Sequence, residues 1–367
     1  MPRLTVMQLL PALDAGGVER GTFEVAEALV RAGHRSLVVS GGGMLVAPLE
    51  ATGSRHFQLN VGRKSPAVFR TVGPLRDLIE RHKVDVLHAR SRLPAWVAWR
   101  ALKRLNPRPR FVTTLHGLNS VSRYSSIMTR GDRVIAVSQT ARSYWLKNYP
   151  SLTPDQVSLI YRGVDTQVFR YGYQPEEERS SRVLLQAGIP SDQPLLMMPG
   201  RITATKGFGA FVNLLARLKV KGVACHGVII GDYEAGSGYQ ARLNDRIERL
   251  DVRDRITFTG PRQDLRDVLC LADLVFCLST KRESFGRVAA EALALGKPVL
   301  GFDHGGIGEV LDEIFPQGRV PATDEVALLE KTLEFLNSPP EVPDRQPFLK
   351  SQMQEQTLEL YETLTKG

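Results

Sequence analysis

The pattern that most restricts this chain is an alternation run through twice. Short apolar stretches rich in β-branched residues are each followed by a stretch with helical spacing. In the first half the strand candidates are LTVMQLL, SLVVS, HFQLNV, DVLHAR, FVTTLHG, RVIAVS and VSLIYRG, separated by helical segments such as VERGTFEVAEALVRAG and PAVFRTVGPLRDLIERH. The second half resumes with LLMMPGR, GVIIGD, ITFTG, LVFCLS and PVLGF. Strands this uniformly apolar are buried on both faces, and parallel strands need helical crossovers. The alternation therefore predicts an α/β fold with two parallel, Rossmann-like sheets. A chain of 367 residues also exceeds one ordinary core. The charge-rich segment YGYQPEEERSSR, Tyr171 to Arg182, reads as the linker. That sets a first domain at 1–172, a second at 173–345 and a terminal helix within 346–367.

Composition removes several classes. No apolar run reaches the roughly 18 residues of a membrane-crossing helix, so none is expected. The opening MPRLTVMQLLPALDAGG lacks a small-residue cleavage site and reads as a first strand rather than a secretory leader. Cys225, Cys270 and Cys277 have no CxxC spacing. That fits a reducing cytoplasm and argues against disulfides or structural zinc. Charge is uneven. Residues 1–170 hold 25 Lys and Arg against 11 Asp and Glu, whereas residues 171–367 hold 23 against 28. The basic half predicts an anionic partner: nucleic acid, an acidic membrane surface or a phosphorylated substrate.

In open α/β sheets, ligands gather beyond the carboxyl ends of the strands. After the first strand, Gly16 and Gly17 allow close backbone approach to an anion at a helix N-terminus, although a plain turn accounts for them too. After LLMMPGR, Arg201 and Lys206 flank a turn into a helix. Fixed charge and free N–H groups there suit a diphosphate; two solvated cations are the plain alternative. Further on, RESFGRVAAEALALGKPVLGFDHGGIGE carries Glu283 and Glu291. On one helix they stand about 12 Å apart. Acid/base pairs in glycosidases sit roughly 5–9.5 Å apart, so the two are not such a pair: either Glu283 favours the helix dipole and Glu291 is a surface residue, or both contact an extended ligand such as a nucleotide sugar. Ser284 is the expected N-cap. Glu291, among alanines, must face water or meet a partner. Gly305 and Gly306 leave room near Glu283, and Glu309 caps or solvates the next helix.

His116 closes VTTLHG and His88 closes DVLHAR; local sequence leaves each structural or functional. No HExxH, His/Cys cluster or DxD triplet appears, so no metal is expected. In PAWVAWRALKRLNPRPR, Trp96 and Trp99 stand among Arg100, Lys103, Arg104, Arg108 and Arg110. The tryptophans are expected to pack on the sheet while the basic face meets an anionic surface.

Taken in order, AGGVER, TLHG, VSLIYRGVDTQVF, GRITATKGF, IIGD, ITFTG and RESFGRVAAEALALGKPVLGFDHGGIGE resemble the glycosyltransferases of family 4 over nearly the whole chain. Glu283 and Glu291 match that family's E-x7-E spacing, and the wording is most like bacterial lipopolysaccharide-core enzymes. The resemblance implies a GT-B fold: two Rossmann-like domains facing across a cleft, with the C-terminal helix crossing back to the first. It implies a retaining, metal-independent transfer of a hexose or N-acetylhexosamine from a nucleotide-diphosphate sugar, UDP-linked by expectation. The donor would lie against the second domain. Arg201 and Lys206 would hold its diphosphate, with Gly16 and Gly17 closing on it and His116 beside the donor sugar. Glu283 would contact sugar hydroxyls, flanked by Ser284, Phe285 and Gly286. Glu291 would hold the ribose, and Arg262 would flank the base. The chain departs from the commonest pattern at Arg162, where many relatives have Asn, and at Ser284, where Gly is frequent. The first domain would take the acceptor, a lipopolysaccharide core or related anionic glycolipid at the cytoplasmic face of the inner membrane.

Three further readings stand beside this one. A UDP-sugar epimerase of similar fold would need no acceptor, and an exopolysaccharide transferase would use a GDP-sugar. A nucleic-acid-binding protein is disfavoured by the acidic second half and by aromatic residues at only 7%.

Overall fold

Strands form wherever apolar runs were read, and all of them lie in parallel sheets. The structure, a computed structural model, describes residues 3–14, 16–233 and 238–366. It divides into one unit of Met1–Gly163 with Lys350–Gly367 and a second of Val164–Leu349.

The first unit runs β1 (Thr5–Leu9), α1 (Gly17–Arg31), β2 (Arg35–Ser40), α2 (Val46–Ala51), β3 (Arg55–Gln58), α3 (Val72–His82), β4 (Val86–Ala89), α4 (Arg92–Leu102), β5 (Arg110–Leu115), β6 (Arg133–Ala136), α5 (Gln139–Asn148) and β7 (Val157–Leu159). Its sheet has the order β3-β2-β1-β4-β5-β6-β7. β1 is central and buried throughout, with Met7 opposite Leu37 on one side and Leu87 on the other. A doubly covered parallel strand has this burial.

The second unit runs α6 (Glu177–Ala187), β8 (Leu195–Pro199), α7 (Phe208–Val220), β9 (His226–Ile230), α8 (Tyr239–Arg249), β10 (Ile256–Gly260), α9 (Leu265–Cys270), β11 (Leu274–Cys277), α10 (Arg287–Ala294), β12 (Val299–Phe302), α11 (Gly305–Ile314), β13 (Arg319–Val320) and α12 (Glu325–Asn337). Its order is β10-β9-β8-β11-β12-β13. The last strand, only two residues long, carried no readable signal.

The final helix, α13 (Lys350–Lys366), belongs to the first unit. Gln354 Nε2 donates to the Glu24 carbonyl at 2.6 Å, and Lys350 Nζ lies 3.1 Å from Glu27. Tyr361 is fully buried, in the same core cluster as Val6, Val86 and Val112.

The segment read as a linker is not one. Its second half is the start of α6, and Arg179 pairs with Asp267, which is fully buried. Tyr173 donates to the same carboxylate at 3.0 Å, and Arg266 Nε lies 3.0 Å from it. Of the charges that looked like solvated linker, Arg179 reaches this buried acid and Arg182 pairs with Glu178. The units meet along the chain at Gly163–Val164 and Leu349–Lys350 rather than at 172–173 and 345–346.

Candidate active site

In the second unit, β8 ends at Pro199 and a turn leads to α7. Gly207, at φ 88°, allows the turn to close: a Cβ there would collide with the Leu278 carbonyl. Thr280 N donates to Thr205 O at 2.8 Å, tying the turn to the end of β11. This brings Lys206 beside the 279–283 segment, with Nζ 2.7 Å from Glu283 Oε1. Ser279 Oγ donates to the same oxygen. His304 Nε2 bonds the Ser279 carbonyl at 2.6 Å, so that nitrogen carries a proton. A hollow of about 30 Å³ lies against Met198, Lys206, Ser279, Glu283 and Gly286. It is too small for a sugar ring, so any ligand must lie above it.

Several expectations change here. Glu283 is not on the helix. α10 begins at Arg287, and its N-cap is Gly286, at φ 96°, rather than Ser284. The straight-helix separation of Glu283 and Glu291 therefore does not apply. Gly305 and Gly306 do not open space for a ligand. Gly306 N donates to Glu283 O at 2.8 Å, and a Cβ at Gly306 would strike the Phe285 backbone. The Phe285 ring is buried edge-on against Phe348, centroids 5.3 Å apart, so it serves the core.

Glu291 meets a partner. It is 3% exposed and pairs at 3.0 Å with Arg287 Nε, one turn earlier. Arg262 is held by its own loop: Nε and Nη2 donate to the two Asp264 oxygens at 2.7 and 2.6 Å. This pairing holds the Asp264 carboxyl below its ordinary range. Arg201 is exposed and makes no ion pair among the described residues. Lys206, read together with Arg201 as a cation for a diphosphate, is paired with Glu283.

In the first unit, His116 follows directly on β5, and Arg162 Nη2 lies 2.9 Å from His116 Nδ1. A guanidinium only donates, so Nδ1 accepts and Nε2 holds the proton. Burial, with Arg162 and Arg90 nearby, holds His116 well below the usual histidine range. It is therefore a neutral donor, not a base. His88, in contrast, is fully buried, bonded to Tyr361 OH at 2.6 Å and Thr114 Oγ1 at 2.7 Å, and is structural. Gly16 is the N-cap of α1, and the Glu19 carboxylate folds back against it. The positive helix end thus attracts the chain's own anion. Trp96 and Trp99 both pack on the core, Trp96 Nε1 donating to the Tyr124 carbonyl at 3.0 Å.

The sequence reading passed over Ser279, Arg287 and His304. Only Arg287 had a local signal, its i,i+4 spacing to Glu291. The other two come together through the crossing of separate strand ends.

Residues 15–168 match Glycosyltransferase Family 4, and residues 184–351 match Glycosyl transferases group 1. The two matches lie in tandem along the chain, with residues 169–183 between them. The chain has the GT-B fold, with a Glycosyltransferase Family 4 region in its first part and a Glycosyl transferases group 1 region in its second. A glycosyltransferase from Rickettsia africae ESF-5 is 28% identical, with a TM-score of 0.86 over 100% of both chains. Anabaena Alr3699/HepE in complex with UDP and glucose is 20% identical, with a TM-score of 0.82 over 98% of this chain and 100% of that one. Among curated relatives, the alpha-maltose-1-phosphate synthase of Mycolicibacterium smegmatis is 32% identical over 63% of this chain. This GT-B chain spans 62% of that relative's length.

Proposed function

We propose that this protein transfers a hexose or N-acetylhexosamine, with retention and without a metal, from a UDP-linked sugar to an anionic acceptor. The observation that carries the reading is the Lys206–Glu283–Ser279 contact at the strand ends of the group 1 unit. It sets a cation and a carboxylate side by side, as a diphosphate and a sugar ring require. The HepE structure, which holds UDP and glucose on the same fold, supports the choice of donor.

Departure of the diphosphate builds negative charge on its oxygens while the sugar gains oxocarbenium character. Lys206, held in place by Glu283, and the exposed Arg201 stabilise that charge. Glu283 takes sugar hydroxyls, with Ser284 and the Gly286 backbone beside it, and Glu291 takes the ribose. Arg262, braced by Asp264, offers its planar face to the base. His116 donates from Nε2 to a sugar oxygen. Among the described residues no carboxylate is assigned as a covalent nucleophile, so the leaving phosphate accepts the acceptor's proton on the same face.

The acceptor is read from charge: the basic first half faces an anionic group, and the M. smegmatis relative is named for a sugar phosphate. That name does not single out lipopolysaccharide, so the core oligosaccharide is one member of the class, reached at the cytoplasmic membrane face.

Thermal-shift titration with UDP-, GDP- and ADP-sugars identifies the donor, because a ligand of the native state raises stability as RT ln(1+[L]/Kd). UDP-sugars are expected to give the largest shift. Glu283→Ala is expected to lower turnover on the order of 100-fold while EDTA leaves it unchanged. Full activity in the variant, or loss in EDTA, would overturn the reading.

A further inference from the structure

One imidazole stands behind both charges of the candidate site. His304 lies just past β12, half-buried, and is the N-cap of α11. Its Nε2–H donates to the Ser279 carbonyl at 2.6 Å. That carbonyl belongs to the Ser279–Thr280 peptide, whose N–H donates to the Thr205 carbonyl at 2.8 Å. A trans peptide is planar, and its C=O and N–H point in opposite directions. The unit therefore runs from the imidazole to the turn that carries Lys206, and it is pinned at both ends.

Ser279 also branches toward the carboxylate. Its Oγ donates to Glu283 Oε1, the oxygen that meets Lys206 Nζ at 2.7 Å. Two donors on one oxygen restrict the rotation of the carboxylate. The next two residues of α11 hold the other end of the segment. Gly306 N donates to the Glu283 carbonyl at 2.8 Å, and a Cβ on Gly305 would stand 2.8 Å from that oxygen. The start of α11 thus grips residues 279–283 with an imidazole at one end and backbone at the other.

We propose that His304 is a positioning residue for sugar transfer, setting both Lys206 and Glu283 through Ser279. This deepens the function proposed above and rests on its assignment of Lys206 to the diphosphate and Glu283 to sugar hydroxyls. Hydrogen bonds in a chain polarise one another, so the imidazole strengthens the contacts beyond it as well as aiming them. Aim matters because a contact group misplaced by about 1 Å costs on the order of 100-fold in rate. A carbonyl only accepts, so the position requires an N–H at that reach rather than a charge.

The test compares His304→Gln with His304→Asn in the full chain, by isothermal titration with UDP-glucose and with UMP. Both side-chain amides donate. The Gln nitrogen stands as many bonds from Cα as Nε2 does, whereas the Asn nitrogen falls a bond short. Asn is also a favoured N-cap, so it does not weaken the start of α11. UMP carries the base and ribose without the second phosphate or the sugar. His304→Asn is expected to weaken UDP-glucose about tenfold and UMP less than about twofold. His304→Gln is expected to bind both within about threefold of wild type. Equal weakening of the two ligands in the Asn variant would assign His304 to folding alone and overturn the inference. A Gln variant no better than Asn would overturn it too. Wild type that binds UDP-glucose, with Asn unchanged from it, overturns this inference and leaves the donor reading standing. Wild type that does not bind UDP-glucose overturns the donor reading, and this inference with it.

Discussion

Glu291 shows how one residue acquires its role. Its neighbours Ala289, Ala290, Ala292 and Leu293 are all buried, so a carboxylate there would be costly without Arg287. Removing one partner strands the other. Glu291→Gln is expected to cost about 3 kcal/mol in urea unfolding. The double change Arg287→Met/Glu291→Leu should recover most of that, while UDP affinity falls in both. Retained UDP affinity in the double variant would remove Glu291 from the ribose. Lys206 and Glu283 are a more exposed pair, and their contact directs Lys206 rather than adding much stability.

Among the elements, α13 has the clearest mechanical part. Its Tyr361 hydroxyl reaches His88 under β4, and burial pushes the phenol well above its ordinary value and His88 well below. Tyr361→Phe leaves His88 Nδ1 unmatched in the core, with an expected loss of about 1–3 kcal/mol. The same burial sets a pH dependence. In the unfolded chain a histidine takes a proton near pH 6.5. In the fold His88 and His116 do so only at lower pH. Their contribution is therefore complete above about pH 6.5 and is lost as pH falls from there toward the folded values. Denaturation midpoints at pH 7, 6 and 5 should decline in order. A flat series would mean that these histidines are not neutral in the fold.

For the molecule as a whole, charge is what the fold organises. On the first unit Arg100 lies 3.6 Å over the Phe69 ring and Arg130 lies 5.4 Å over Trp99. Their guanidinium groups lie over the aromatic faces as cation–π contacts. Among the described residues no helix is long and apolar enough to cross a membrane. Attachment to an anionic leaflet would be electrostatic. Cosedimentation with phosphatidylglycerol vesicles is expected at 50 mM salt and should be lost by about 0.5 M, where screening is strong. Binding that persists at high salt would point to insertion of apolar side chains instead.

The strands were legible because a parallel sheet buries both faces, and the resulting apolar runs are a local property. LLMMPGR and LVFCLS reveal themselves without any partner. Glu283, Glu291, Arg201, Lys206 and His116 could be singled out by residue type and position at strand ends. What each one touches could not. Arg287 was readable from helical spacing, yet the start of α10 depends on the positive φ of Gly286, which moved Glu283 off the helix. Asp267 turned an apparent linker into the first helix of a domain. Arg90 and Arg162 lie far along the chain from Gly21 and Glu24, and only the packing of α1 against the segments after β4 and β7 brings the four together. Burial of an apolar strand is set by its own residues, whereas the balance of buried charge depends on which residues the fold makes neighbours.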